Sequence, residues 1–462
     1  MTTTRRDLPG HSGDGASVDR CSDVAPASIE AKTMQKLRLR ILPFVLLLFV
    51  VALIDRNNIS LAALTMNQEL AITSQQFGLV YGIFFFGYFI FEIPSNLLLH
   101  RIGARIWIAR ILLSWGVVAT LTGLVTTVHQ LYVLRFLLGF AEAGYFPGMV
   151  LYLTYWFPQR EQARAFALLL TAGPLTTILG APVSGFILDH SHWLGISSWR
   201  WLLILEGVPA IILAVLTYSL LPSRPQEAKF LTAEEKEWIR EELGREERQK
   251  LERRRYSLLQ AFASGRVWHL VLIYFGLMIG NYVLISWAPQ LVKSLLREDS
   301  NTVVGLLLAI PSFVGLVAMI AVSRSSDRTL ERRYHVAISA LFASTALLLL
   351  GTTSSQFFSL TLLCLLTAGV YSYIGPFWAL PSEFLTGYSG AAGIALINSV
   401  GNLGGFVGPL AIGFASQRSG ALTTGLALAA VPVFVAAMLV LLLPKKVRPL
   451  ATLPRSATAT VR

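Results

Sequence analysis

Charge, cysteine and catalytic clusters are all scarce in this chain of 462 residues. Only 14% of the residues are Asp, Glu, Lys or Arg, against about a quarter in soluble domains. The two cysteines, Cys21 and Cys364, stand far apart, so we expect neither a disulfide framework nor a cysteine metal site. No histidine accompanies acids in a metal-binding pattern or a serine nucleophile. We therefore expect no enzymatic activity, no metal and no cofactor.

Apolar residues are abundant: they make up 54% of the chain and give a mean hydropathy of +0.61. Both values are typical of a polytopic membrane protein. Twelve segments are long and apolar enough to cross a bilayer as helices; they cover residues 38–66, 76–99, 104–127, 129–157, 162–189, 199–221, 266–291, 301–323, 335–352, 356–380, 387–416 and 421–443. The sequence predicts an all-α membrane protein with twelve transmembrane helices in two pseudo-symmetric bundles of six.

Polar stretches set the expected domain boundaries. Residues 1–37 are rich in Gly, Ser, Thr and Asp, which predicts a disordered cytoplasmic tail. The bundles span 38–221 and 266–443, a charged cytoplasmic linker spans 222–265, and 444–462 form a second cytoplasmic tail. Within the linker, charges follow a helical pattern from Thr232 to about Arg255, which predicts a solvated helix.

The basic residues predict the orientation in the membrane. If both termini are cytoplasmic, all but six of the 38 Lys and Arg residues lie in cytoplasmic segments or helix ends. The exceptions are Arg200, Lys293, Arg297 and Arg418 in external loops, and Arg56 and Arg135 inside helices. The net charge of +12 thus follows the positive-inside rule and gives no reason to expect nucleic acid as a partner.

The two halves repeat each other. Short basic turns follow the second and eighth segments, at 96–105 and 323–333. The sequence Trp156-Phe-Pro158 before the fifth segment has a counterpart in Trp378-Ala-Leu-Pro381 before the eleventh. Repeats of this kind build many secondary transporters, with the substrate at the midplane between the halves.

This organisation resembles the major facilitator superfamily. The string from Leu53 to Gly103 contains Asp55-Arg56-Asn57-Asn58-Ile59, Phe84-Phe-Phe-Gly87-Tyr88 and Phe91-Glu92-Ile-Pro94-Ser95-Asn96. With Arg135 and Glu142, it resembles the anion:cation symporter family and the bacterial tartrate and 4-hydroxyphenylacetate permeases within it. In the superfamily the basic turn reads Gly-x-x-x-Asp-Arg-x-Gly-Arg. This chain keeps Asp327-Arg328 in the second copy but has His100 and Asn96 in the first.

The resemblance implies a carrier that works by alternating access, as a monomer in the lipid bilayer. It implies a small hydroxylated or aromatic carboxylate as substrate and a gating ion pair at Asp327 and Arg328.

Six ionisable side chains lie well inside predicted helices, all in the first half: Asp55, Arg56, Glu92, Arg135, Glu142 and Glu206. A charge near the bilayer centre costs roughly 2.5–3.5 kcal/mol even on a lenient scale, so pairing, protonation or water must offset each one. Apart from Glu206, three acids face two bases, so one acid is neutralised only by a proton. This imbalance predicts proton coupling.

We expect Glu142 and Asp55 to carry protons; the alternative is that both are structural ion-pair partners that hold helices together. Arg135 and Glu142 lie seven residues apart on one helix face, about 10 Å apart along the axis, so each can meet a group on the first helix. For Arg135 we leave open whether it steers anions inward or pairs with an acid, and we group it with the ion-pair and gating residues.

Arg56 is the expected anion binder, because a guanidinium contacts a carboxylate through two donors. Alternatively it is a permanent partner of Asp55 or Glu142. Neighbouring side chains on a helix diverge by about 100°, so we expect Glu142 rather than Asp55 beside Arg56.

Three further residues of the first half have predicted roles. Tyr88 is expected to donate to substrate or Glu142, or else to pack. Glu92 is expected to be a gating or helix-capping partner. Glu206 is expected to pair with Arg200 near the outer face.

The second half offers amides and aromatics instead of buried charge. Asn398 and Asn402 lie one turn apart on the eleventh segment, and unpaired amides are costly in lipid. We predict that these two, with Tyr371 and Trp378, bind substrate. Asn281, Tyr282 and Trp287 on the seventh segment are more typical of packing.

These features predict proton symport of a small organic anion into the cell across a bacterial inner membrane. The alternative is an organic-anion exchanger or facilitator without proton coupling. Arg56 beside Asp55 argues against a cationic-drug exporter, and the short linker argues against a receptor with an output domain.

Overall fold

A computed structural model describes residues 29–252, 264–350, 352–353, 355–384 and 388–444, and these residues form helices with no β-strand. Eleven helices in this part of the chain are long and apolar enough to cross a membrane, and a shorter apolar helix, Arg333–Leu349, brings their number to twelve. The prediction of a twelve-helix membrane protein is confirmed. We number these membrane helices from first to twelfth.

The first half contains six membrane helices, two of them interrupted. Their bounds are Leu42–Glu69, Ser74–Ile102, Ala104–Thr122, Val128–Glu142 with Tyr145–Thr154, Gln159–Leu170 with Ala172–His190, and Ser198–Leu220. The fourth helix breaks directly after Glu142, where Gly144 has φ +80°, a conformation that glycine adopts at little cost. A β-carbon at Gly144 would lie 2.5 Å from Ser95 Oγ, so the second helix also approaches closely here.

The second half repeats this pattern. Its helices are Gly265–Leu296, Asn301–Thr329, Arg333–Leu349, Gln356–Ser372 with Ile374–Phe384, Tyr388–Asn402 with Gly404–Ser419, and Leu422–Leu441. The interrupted helices are the tenth and eleventh, the counterparts of the fourth and fifth. Helices broken at matching positions in two halves are characteristic of transporters built from repeats.

Two further helices lie on the face from which the linker emerges, which we call the linker face. The helix Ile29–Arg40 precedes the first membrane helix, and Ala233–Glu252 lies in the linker. Lys36 pairs with Glu235 at 2.8 Å, and Arg160 pairs with Glu30 at 2.6 Å. Burial by itself raises the pKa of Glu235, but hydrogen bonds from Lys36 and the Thr232 amide outweigh it and hold the pKa below its usual value.

These ion pairs correct one expectation. The tail predicted to be disordered through residue 37 is helical from Ile29 onward, because its charged side chains find partners on the linker helix and in the first turn of the fifth helix. The predicted linker helix is present from Ala233 to Glu252. Residues 1–28, 253–263 and 445–462, which include most of both predicted tails, lie outside the described residues.

The two halves meet at the opposite face, which we call the closed face. There the fifth helix packs on the eighth and the second on the eleventh. A β-carbon on Gly185 would lie 2.2 Å from the Asn301 carbonyl oxygen, and one on Gly413 would lie 2.3 Å from that of Ser74. Small residues thus let the backbones of opposite halves touch.

Asp189, at the end of the fifth helix, adds a polar contact at the closed face. Its carboxylate accepts hydrogen bonds from the backbone amides of Asn301 and Thr302 and from the side chains of Ser300, Asn301 and Thr302, at 2.7–3.1 Å. A carboxylate at a helix N-terminus satisfies free amides and complements the helix dipole. The first half therefore caps a helix of the second.

Candidate substrate cavity and charged network

A cavity of about 170 Å³ lies between the halves, on the linker side of the closed face. Its wall includes all six residues predicted to bind substrate: Arg56, Tyr88, Tyr371, Trp378, Asn398 and Asn402. The first half contributes the cation and the second half contributes amides and aromatic rings. We call this space the central cavity.

Arg56 is fixed at the cavity wall by Glu142. Its Nε donates to Glu142 Oε1 at 3.0 Å, and its Nη2 donates to the same oxygen. The guanidinium also lies over the rings of Phe84 and Tyr88, at 5.3 and 5.4 Å from their centroids, which is cation–π geometry. The expected contact between Arg56 and Glu142 is therefore present, and Tyr88 supports the arginine from the cavity side.

Glu142 uses only one oxygen in this pair. The side chain is fully buried, and Oε2 has no hydrogen-bond partner among the described residues. A buried carboxylate oxygen without a donor is costly. Oε2 is therefore the oxygen of Glu142 at which a proton can bind without displacing a hydrogen bond.

Asp55 points away from the central cavity, as its position beside Arg56 requires. It is 1% exposed and accepts hydrogen bonds from the Trp115 indole and, at 3.1 Å, from Asn58 Nδ2. Its contacts are therefore with the third helix and its own helix. The divergence of Asp55 and Arg56 that the sequence predicted is present.

Arg135 also lies over Phe84, with its guanidinium 5.2 Å from the ring centroid. Its Nε donates to the Val80 carbonyl at 3.4 Å, and its buried Nη2 has no hydrogen-bond partner among the described residues. Its charge interacts with those of Asp55 and Glu142. Two arginines and two acids thus form a compact set in which each charge has an opposite neighbour.

Glu92 joins the two halves on the linker side of the cavity. Its carboxylate accepts from Asn398 Nδ2 at 2.9 Å and from Ser399 Oγ at 2.6 Å. The position is compatible with the predicted gating role, which stays a prediction. Asn398, predicted as a substrate ligand, lines the central cavity and also forms one of these hydrogen bonds between the halves.

The cavity wall contains residues that the sequence reasoning did not select. Tyr282 lines the cavity and donates to Asn402 Oδ1 at 2.9 Å, although we expected it to pack. Tyr274 also lines the cavity and meets Trp378 edge-on at 4.9 Å. An aromatic on an apolar helix has the same sequence signal whether it packs or lines a cavity, so only the fold separates the two cases. Trp287 packs on Phe77 at the closed face, as expected.

The remaining charged residues lie apart from the cavity. Asp327 pairs with Arg332 at 2.6 Å within one turn at the linker face, and Arg328 is exposed there. Their gating role stays a prediction. The expected pair of Glu206 with Arg200 is wrong: Arg200 pairs with Glu69 at 3.3 Å, because both lie at the closed face. Glu206 lies deeper, where its Oε1 is 2.5 Å from Ser184 Oγ.

The chain belongs to the Major Facilitator Superfamily, whose family model matches residues 45–409. It is 43% identical over 422 residues to a candidate tartrate transporter of Agrobacterium vitis, and the alignment covers 91% of this chain and 93% of the relative. It is 36% identical to a quinolone resistance transporter of Acinetobacter baumannii, over 86% of this chain and 91% of that one. The relatives therefore share a family but not a single cargo.

A solved structure confirms the fold. The xylose transporter XylE of E. coli, in a partially occluded inward-open conformation, superposes with a TM-score of 0.71 at 17% identity, covering 89% of this chain and 99% of that one. The chain is therefore a membrane-spanning transporter of this superfamily, with a cavity between its halves.

Proposed function

We propose that this transporter imports a small organic anion together with protons. The observation that carries the proposal is that Arg56, at the cavity wall, is held by a single oxygen of buried Glu142. A substrate carboxylate that enters the cavity competes with Glu142 for the guanidinium. When Arg56 turns to the substrate, Glu142 loses its counter-charge and takes up a proton.

This exchange of partners couples the two cargoes. Without substrate, Arg56 neutralises Glu142 and no proton is needed. With substrate, the proton on Glu142 compensates one substrate carboxylate, so a monocarboxylate leaves the net charge of the pair and its ligand unchanged. Because an uncompensated buried charge opposes closure of the cavity, only the empty carrier and the fully loaded carrier change conformation. Asp55, with Arg135 nearby, is proposed as a second proton carrier.

Both walls of the cavity support the proposed substrate class. Arg56 suits a carboxylate, and Asn398, Asn402 and Tyr282 suit hydroxyl groups. The similarity to candidate tartrate transporters supports a hydroxylated carboxylate. An aromatic carboxylate is the second choice, since Tyr274 and Trp378 offer ring surfaces.

The proposed location is a bacterial inner membrane with both termini in the cytoplasm. The distribution of Lys and Arg supports this orientation, and bacterial relatives support the compartment. In this orientation the closed face is external and the central cavity is on the cytoplasmic side of the contacts between the halves.

Uptake into proteoliposomes tests the proposal. Purified protein is reconstituted, a pH gradient is imposed with the acidic side outside, and labelled tartrate and 4-hydroxyphenylacetate are supplied. We expect accumulation that a protonophore abolishes. Uptake that is indifferent to the protonophore, with intact counterflow of labelled against unlabelled anion, would identify an exchanger or facilitator instead.

A further inference from the structure

A second cavity, of about 70 Å³, lies between the central cavity and the closed face. It shares part of its wall with the central cavity, including Asn57, Thr177 and Tyr371. The rest of its wall is mainly apolar but includes the polar side chains of Asn58, Ser60, Thr176 and Ser184. The hydroxyls of Ser60 and Thr176 are buried without a hydrogen-bond partner among the described residues. Such a wall suits water when the closed face opens.

Glu206 lies directly behind this wall. Its Oε1 is 2.5 Å from Ser184 Oγ, which is also 2.9 Å from the Gly180 carbonyl oxygen. A serine hydroxyl has one proton to donate, and a carbonyl and a carboxylate are both acceptors. Both contacts are ordinary two-centre hydrogen bonds if Glu206 is protonated and donates to Ser184, which then donates to Gly180. The geometry therefore indicates a neutral Glu206 in this conformation.

Among the described residues, no cation pairs with Glu206. The sixth helix packs on the first, third and fifth, and Asp55 is the charged group that acts on Glu206, with Asn58 close to both acids. The other charged groups described on these helices have their own partners or lie at the helix ends. Glu69 pairs with Arg200, Arg56 pairs with Glu142, and Asp189 caps the eighth helix. Arg105 and Arg110 of the third helix and Arg160, Glu161 and Arg164 of the fifth lie at the linker-face end, and His190 follows Asp189 at the closed face. An unpaired carboxylate buried beside another acid is costly, so burial and Asp55 both favour the proton.

We propose that Glu206 is a further proton-binding site, which exchanges its proton with water in the second cavity through Ser184. When the closed face opens and the cavity hydrates, the carboxyl releases its proton to water by way of the Ser184 hydroxyl, and it rebinds one as the cavity dries. Asn58, which donates to Asp55 and lies close to Glu206, couples the charges of the two acids. The participation of this site in transport rests on the proposed function; its titration does not.

Infrared spectroscopy of reconstituted protein tests the titration. We expect wild type to show the carbonyl band of a protonated carboxyl that Glu206→Gln removes, and this band weakens as the pH is raised. On transfer to heavy water, Ser184→Ala slows the deuterium shift of this band. Glu69→Gln, which changes a half-exposed carboxyl at the closed face, leaves the band unchanged. A Glu206→Gln spectrum identical to that of wild type, or a band that never responds to pH, overturns the inference.

Transport measurements separate this inference from the proposed function. Proton and anion uptake are measured together in proteoliposomes, and we expect Glu206→Gln to lower the proton-to-anion ratio. An unchanged ratio overturns participation of the site in transport. If wild type takes up anion without protons, the proposed function fails, and the pH response of the infrared band alone decides whether Glu206 binds a proton.

Discussion

The two halves of the transporter share a scaffold and differ in chemistry. Among the described residues, the charged side chains within the membrane helices that are buried or line the central cavity all belong to the first half: Asp55, Arg56, Glu92, Arg135, Glu142 and Glu206. The second half contributes Asn398, Asn402, Tyr371, Trp378 and Tyr282 to the same cavity. A repeated fold therefore does not require a repeated site.

The contacts between the halves explain why the charges are kept on one side. No ion pair within 4 Å joins the two six-helix halves among the described residues. The carboxylates that do cross, Glu92 and Asp189, meet only neutral donors. A hydrogen bond to a charged group contributes about 1.5–3 kcal/mol, whereas removing one partner of a buried ion pair costs about 3–5 kcal/mol. Charges confined to one half keep their partners while the halves move.

The largest effect is expected at Glu142. Glu142→Gln keeps the size of the side chain but cannot take up the proton that substrate binding requires. We expect accumulation driven by a pH gradient to disappear while counterflow persists, measured with labelled anion in proteoliposomes. Glu234→Gln on the exposed linker helix is the control and retains full accumulation. Undiminished accumulation in Glu142→Gln contradicts the assignment.

Arg56→Lys tests whether the cation of the first half binds the substrate carboxylate directly. The lysine ammonium keeps the charge, but it lacks the paired donors of the planar guanidinium and its stacking over Phe84 and Tyr88. We expect carboxylate affinity to fall about 10–100-fold, since one charge-assisted hydrogen bond contributes about 1.5–3 kcal/mol. Calorimetry with purified protein measures it. Arg101→Lys, exposed at the linker face, serves as the control, and equal affinities in the two variants would rule out direct binding by Arg56.

Asp189→Asn weakens the contact between the halves at the closed face. The amide keeps one acceptor oxygen and loses the charge that the amides of Asn301 and Thr302 favour. We expect the conformational equilibrium to shift by about 1–2 kcal/mol toward opening of the closed face. A cysteine at Ser60 in a background without Cys21 and Cys364 should then react faster with an impermeant maleimide. Asp299→Asn, on the exposed loop nearby, should leave the labelling rate unchanged.

The smallest effect is expected in the second half, which contributes neutral side chains to the central cavity. Asn402→Ala removes an amide from the cavity and frees the Tyr282 hydroxyl to meet the substrate instead. We expect affinity to fall only about 2–10-fold, since a neutral hydrogen bond contributes about 0.5–1.5 kcal/mol. Gln417→Ala changes an exposed amide on the same helix and controls for general effects. A loss as large as that of Arg56→Lys would remove the distinction between the halves.

The sequence predicted correctly those features for which the membrane allows few alternative environments. Twelve apolar segments had to become membrane helices, and six ionisable side chains inside them had to find partners or a cavity. The pairing of Arg56 with Glu142 followed from helix geometry, because Asp55 points to another side. Reasoning failed for Glu206, which was assigned to Arg200 because the two are close in sequence; the closed-face position of Arg200 and the depth of Glu206 keep them apart.

The long apolar segments and the positions of Lys and Arg by themselves determined a twelve-helix membrane protein and predicted its orientation, since lipid leaves a polar backbone and charged loops few alternatives. Which aromatics line a cavity, which carboxylates cross between the halves and which acid lacks a cation were decided only by the tertiary structure. These properties depend on how helices distant in sequence are rotated against each other, and a rotation of one residue exchanges a cavity-facing side chain for a packed one.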